Sequence, residues 1–142
     1  MAQHAGMPRG TDHAGMDMLS LAECLDHLRA ETVGRVAFVQ AGEPVVLPVN
    51  YLFYRDAIVF RTARGEKLEA AWRRSPVAFE IDGFRSISED GWSVLVRGMA
   101  EVVDDETQLD ELSSIPFKTW AKGSERPYWV KIHPDEITGR SI

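Results

Sequence analysis

The sequence predicts a mainly β fold of the α+β kind, an antiparallel barrel of six to seven strands with a few short peripheral helices. Three observations predict it. β-rich runs recur between turn signals, the helical patterns are few and brief, and strands and helices never alternate in the βαβ manner of a parallel sheet. The 142 residues suit one domain, and the 44% that are hydrophobic supply its core.

Residues 1–17 read as a mobile tail ahead of a domain spanning 18–142, because four of the five Met fall at or before Met18, together with His4 and His13. Ser20 then stands three residues before Glu23, a capping-box spacing, and Leu21, Cys24, Leu25 and Leu28 follow at helical intervals, so a helix covers about 20–30. From Gly34 the pattern turns to strands over 35–40, 45–54 and 57–62, separated by Ala41-Gly42-Glu43-Pro44 and by Arg55-Asp56, which reads as a meander. Gly65 opens a short helix with Leu68, Ala71 and Trp72 as its stripe and Glu69 and Arg73 at the i,i+4 spacing; Pro76 ends it. A strand over 77–81 follows, and then the longest, 91–103. There Trp92, Val94, Val96, Gly98, Ala100 and Val102 share one face, and Ser93, Leu95, Arg97, Met99 and Glu101 the other. A helix over 106–113, a loop holding Pro116, Trp120 and Gly123, and strands over 128–133 and 137–142 complete the chain.

Composition excludes several function classes. Sixteen Lys and Arg against 22 Asp and Glu give a net charge of −6, which argues against a nucleic acid as main partner. A single cysteine, Cys24, excludes an internal disulfide framework and fits a reducing cytoplasm. No run approaches the ~18 apolar residues of a membrane span, and the first 17 residues hold no apolar block like that of a secretory signal, so a cytoplasmic protein without membrane attachment is expected.

Two segments point to a ligand. In Phe60-Arg61-Thr62-Ala63-Arg64-Gly65-Glu66-Lys67, a strand ends and a helix begins among three cations and a hydroxyl, which is what a phosphate needs; a solvated basic turn has the same spacing. In Leu47-Pro48-Val49-Asn50-Tyr51, a proline inside a strand-like run implies an edge, a bulge or a barrel mouth. Backbone left unpaired there can meet the polar edge of a planar ligand, with Tyr51 on its ring, and a solvated edge strand is the alternative. Cys24 and His27 are spaced as metal ligands on one helix face, but no second pair exists to complete a site. No GxSxG elbow or Cys-His-Asn pattern appears, and Ser93 has no base beside it in sequence.

Pro48-Val49-Asn50-Tyr51, Phe60-Arg61-Thr62 with Gly65 and Lys67, Gly91-Trp92-Ser93-Val94 through Gly98, and the final Ile137-Thr138-Gly139-Arg140 together resemble the pyridoxamine 5'-phosphate oxidase-like flavoproteins, over about residues 19–142. The resemblance implies a split β-barrel that forms a homodimer, with flavin mononucleotide (FMN) bound at the interface. It implies that Arg61, Thr62 and Lys67 hold the phosphate, that Pro48, Val49, Asn50 and Tyr51 run along the isoalloxazine, that Ser93 bonds the cofactor from the long strand, and that Trp120 approaches the ring from the second protomer. Two departures argue against pyridoxamine phosphate itself as substrate. Glu66 stands where the best-known oxidases carry Arg, and nothing matches their Arg-rich C-terminal segment.

The expected function is therefore flavin-dependent two-electron transfer to or from a small organic molecule, with no side-chain nucleophile. FAD or a deazaflavin is the alternative cofactor, and a deazaflavin-dependent reductase the alternative enzyme. A non-catalytic dimer that sequesters flavin, or haem through His133, is the alternative outside catalysis.

Overall fold

A capping box opens the first helix of the computed structural model, which describes residues 17–63, 65–116 and 128–142. The Ser20 hydroxyl accepts from the Glu23 backbone N–H at 3.2 Å, and the Glu23 carboxylate accepts from the Ser20 N–H at 3.0 Å, fixing the start of α1 (Leu21–Ala30). Just before it, β1 (Asp17–Met18) pairs with the far end of the chain, Asp17 opposite Ser141. Residues 1–16, most of the expected tail, lie outside the described residues.

The remaining strands are β2 (Val33–Gln40), β3 (Glu43–Asn50), β4 (Leu52–Tyr54), β5 (Ala57–Thr62), β6 (Pro76–Arg85), β7 (Asp90–Val102) and β8 (Tyr128–Ser141), with α2 (Glu66–Trp72) and α3 (Glu106–Ser113) between them. They form one antiparallel sheet in the order β3-β2-β6-β7-β8-β5-β4, with β1 on β8. The two ends of that path, β3 and β4, are consecutive in the chain and separated by Tyr51 alone. The sheet therefore curls until its edges meet at that residue, giving the split β-barrel.

Tyr51 is built as a corner. Its N–H donates to Thr32 O at 3.0 Å, its hydroxyl donates to Leu28 O at 2.7 Å, and its ring meets Phe79 edge-on with centroids 4.7 Å apart. The single strand expected over 45–54 is divided here because Tyr51 makes the last in-register bond to β2, at Thr32 O, and from Leu52 on the chain pairs with β5 instead. The two strands expected over 128–133 and 137–142 are instead one. β8 runs through Pro134 by a bulge: Arg97 pairs with Glu136 and Gly98 with Pro134, which leaves Asp135 unpaired in the register. A Cβ at Gly98 would lie 1.9 Å from His133 O, so only glycine lets β7 and β8 approach there.

The inner face carries the main core, including Phe38, Tyr51, Phe60, Phe79, Ile81, Val94 and Val96, closed at one side by Cys24 and Leu28 of α1 and at another by Ala70 and Ala71 of α2. A smaller cluster lies on the outer face, where Leu112 of α3 packs on Ala57, Val59, Val103 and Trp129. β5 is thus buried on both sides, which is why Ala57-Ile58-Val59-Phe60 reads as an unbroken apolar run. The outer face of β2, β3 and β6 is bare among the described residues, and Val33, Val39 and Val46 are exposed there. No described helix is long and apolar enough to cross a membrane.

Removing the corner hydroxyl tests its role. Tyr51→Phe should lower the urea-unfolding free energy by about 1–3 kcal/mol, because Leu28 O loses a buried partner. A change within ~0.5 kcal/mol of zero would show that the corner is held by ring packing alone.

Candidate functional site

β5 leaves the core at Arg61 and Thr62, and the chain turns through Gly65, at φ 150°, into α2. Strand alternation sends Arg61 outward beside Trp129, its register partner, and Thr62 inward with Ile58 and Phe60. The Arg61 guanidinium carbon sits 5.4 Å from the Trp129 ring centroid, and Lys67 Nζ, from the first turn of α2, sits 6.0 Å from that of Phe60. Two cations are therefore seated on aromatic faces on either side of one strand end. Thr62 is 2% exposed and its hydroxyl donates to Ala63 O at 3.1 Å. With seven residues and no side-chain cap at Gly65, α2 adds little field of its own, so the cations carry the case for an anion.

The other nominated segment arrives at the same end. β3 is an edge of the sheet path, which is where its prolines are tolerated. Alternation turns Pro48 and Asn50 outward and Val49 into the core. β4 pairs with β5 as far as Leu52 and Val59, and β3 touches β5, so the end of β3 comes close to β5. The Tyr51 ring belongs to the core, so what this segment can offer a planar ligand is its backbone and the Pro48 and Asn50 side chains, not the phenol ring that the sequence suggested. Burial pushes the Tyr51 phenol up from its ordinary range, with the Glu31 charge adding to the shift.

The structure does not bring Ser93 to this place. It stands on the outer face of β7 between Asp82 of β6 and Arg140 of β8, in the cross-strand row that leads through Val33 to Asn50. Three strand spacings separate it from Asn50, about 14 Å at ~4.8 Å per strand. Trp120 lies outside the described residues.

The outer face between Pro48 and Ser93 holds a group that sequence reasoning missed. Arg35 Nη1 lies 3.1 Å from Asp82 Oδ2 and 3.4 Å from Glu80 Oε1, above a hollow of about 290 Å³ floored by Ala37, Ala78 and Leu95. Burial raises the Glu80 carboxyl to about 7, with the hydrogen bond and charge of Asp82 adding and Arg35 opposing. The signal is the Glu-x-Asp alternation of Glu80 and Asp82, which β6 carries past the expected end at residue 81.

The remaining candidates have structural partners. The His27 ring stacks on Trp92, with centroids 3.7 Å apart, and Cys24 is buried close to Gly139, so the two do not share a site. His133 Nε2 lies 2.8 Å from Glu101 Oε1, and that hydrogen bond, with help from Lys131, holds the Glu101 carboxyl below its usual range.

A curled antiparallel sheet whose two edges are joined by a single residue is the architecture of a split β-barrel. The family model of pyridoxamine 5'-phosphate oxidase matches residues 20–141, and the chain belongs to that family. An uncharacterized protein of Mycobacterium tuberculosis is 31% identical over 133 residues, 89% of this chain and 81% of that one. The solved structure of an FAD binding protein from Mycobacterium smegmatis is 34% identical, covers 88% of this chain and 98% of its own, and superposes with a TM-score of 0.69. A FAD-binding protein from Mesorhizobium loti, 22% identical over 89% of this chain and 98% of its own, has a TM-score of 0.71 and shows the shared fold.

The raised Glu80 carboxyl has a consequence with a definite sign. The folded protein holds a proton that the unfolded chain releases near the ordinary value of 4.5, so this group's contribution to stability is complete below that pH and is lost as pH rises through about 7. Glu80→Gln should flatten the fall in thermal midpoint between pH 5 and 8, while an unchanged slope would assign the fall to other groups.

Proposed function

We propose that this protein binds a flavin nucleotide at the meeting point of β3, β5 and α2 and uses it for two-electron transfer to or from a small organic molecule. The observation that carries the reading is the pair of cations, Arg61 and Lys67, held on Trp129 and Phe60 at the end of β5. A phosphate between them replaces water with two charge-assisted partners whose side chains are already positioned by ring contacts. The residues fit the group.

Arg61 and Lys67 hold the phosphate, and Thr62 joins them when its hydroxyl turns from Ala63 O. Pro48 and Asn50, on the outward edge of β3, lie along the ring system, and their exposed edge backbone supplies donors and acceptors to its polar rim. Bound flavin supplies the two-electron chemistry, which explains why no activated nucleophile is needed. FMN and FAD share the phosphate this end recognises; the Mycobacterium smegmatis relative, named for FAD, supports FAD as strongly as the motif supports FMN.

The bare outer face of β2, β3 and β6 supports a homodimer as the working form. A second copy there covers Val33, Val39 and Val46, excludes water from the ring, and brings a second Ser93 toward a site that its own Ser93 does not reach.

Titration of the purified protein with FMN, FAD and a deazaflavin, followed by absorbance and fluorescence, identifies the cofactor. Reduction of the bound form by a nicotinamide donor and reoxidation by an acceptor separate an enzyme from a carrier. Lys67→Ala should weaken FMN binding by about 1–3 kcal/mol, the value of a charged hydrogen bond, and leave riboflavin binding unchanged. Equal losses for both ligands would remove Lys67 from the phosphate site.

A further inference from the structure

The outer face that a second copy would cover is not uniformly apolar. Val33, Arg35, Ala37 and Val39 alternate onto it from β2, Val46 stands opposite Ala37 on β3, and Glu80 stands opposite Arg35 on β6. Arg35 thus lies between the exposed Val33 and the exposed Val39 and Val46, and Phe84, two residues past Asp82 on the same face of β6, is 66% exposed. Whatever covers these apolar side chains also covers Arg35, Glu80 and Asp82.

That cluster carries more negative charge than positive. One guanidinium serves two carboxylates, Asp82 at 3.1 Å and Glu80 at 3.4 Å. The groups that face Glu80 from β7 and β3 are Leu95 and Val46, which are uncharged. Of the cations on the strands beyond, Arg97 of β7 stands opposite Ala78 and is engaged by Glu136 at 3.5 Å, and Arg140 of β8 is separated from Asp82 by Ser93. In water the surplus charge costs little. Under a second copy it is costly, and symmetry offers no remedy: a twofold axis lays the same face on itself, so two guanidiniums meet four carboxylates however they are shared.

A proton removes the surplus. The Glu80 carboxyl is half-buried above the hollow floored by Ala37, Ala78 and Leu95, beside Asp82, and its affinity for a proton is already raised by burial and by its neighbour. Further loss of water raises it more. When protonated, Glu80 donates to the Asp82 carboxylate, and Arg35 is left with a single negative charge to answer.

We propose that the outer face of β2, β3 and β6 joins a second copy of this chain with a proton taken up by each protomer and shared between Glu80 and Asp82, so that association is tight in mildly acidic solution and weakens as the pH rises. The inference rests on the homodimer reading above and adds the charge state which that dimer requires. Its sign follows from linkage: the dimer binds more protons than the separated protomers do, so acid favours it, and the separated protomers release theirs as the pH passes about 7.

Sedimentation velocity on the full chain at pH 6 and pH 8.5, with and without saturating FMN, tests this. Where dilution alone does not dissociate the dimer, urea below the unfolding transition is added equally at both pH values. The Kd should be at least about ten-fold higher at pH 8.5, the effect of a single linked proton. Glu80→Gln is neutral at both pH values and should keep its pH 6 Kd at pH 8.5. Asp82→Asn leaves Arg35 and Glu80 balanced and should flatten the dependence as well. Val46→Glu, at an exposed position, should weaken association at both pH values. The proposal is overturned by an equal Kd at the two pH values, by a dimer that separates at pH 8.5 only on unfolding, by a rise that persists in Glu80→Gln, or by Val46→Glu associating like the parent protein. A chain that stays monomeric at both pH values with FMN bound overturns the homodimer reading along with it, whereas a dimer indifferent to pH removes the proton coupling and leaves that reading standing.

Discussion

One residue joins the two edges of the sheet, and the fold depends on it. β3 and β4 lie at opposite ends of the hydrogen-bonded path and are adjacent in the chain. A flat sheet cannot satisfy both facts. The curl that reconciles them places a polar side chain, the Tyr51 phenol, in the core, where an unpaired hydroxyl would cost about 1–3 kcal/mol. Leu28 O answers it, and because Leu28 sits on α1, the same bond ties that helix to the seam.

Once the seam is fixed, the location of the cations follows. β5 is the neighbour of β4 and is buried on both faces, under α2 on one side and α3 on the other. A strand with no solvated face can present charge only where it leaves the core. It does so at Arg61, at the end of β5 that leads into α2. Such a place concentrates positive charge on a chain whose overall charge is −6, so local geometry rather than net charge sets the field there. The rings of Phe60 and Trp129 do two things at once: they fill the core or its outer satellite, and they hold the cations that a flexible side chain would otherwise disperse.

Much of this was legible in the sequence wherever local chemistry decides the outcome. The capping box at Ser20 and Glu23, the helix over 106–113, the faces of the long strand and the i,i+4 pair of Glu69 and Arg73, now 2.6 Å apart, all depend on near neighbours. The break at Tyr51 was not legible, because it marks where the chain changes partner from β2 to β5, which the path of the whole sheet decides. The fusion of two expected strands into β8 was hidden by Pro134, which reads as a terminator until a bulge absorbs it. At the candidate site the residue types were readable, but their grouping was not: β3 and β5 come together at the seam, while Ser93, nominated with them, stands on β7, across β6 and β2 from β3.

That separation bears on how a short chain makes a deep ligand site. A barrel this small fills its interior with its own side chains, and the inner face is packed by Phe38, Phe60, Phe79 and Tyr51. No ligand enters such a core, so recognition moves to rims and outer surfaces, where a single protomer offers one wall. The outer face between Asn50 and Ser93 is shallow and floored by small residues, Ala37 and Ala78, with Arg35, Glu80 and Asp82 across it. A second wall must come from something laid on that face. The exposed valines at 33, 39 and 46 favour an apolar partner surface, and a copy related by twofold symmetry presents the same valines in return.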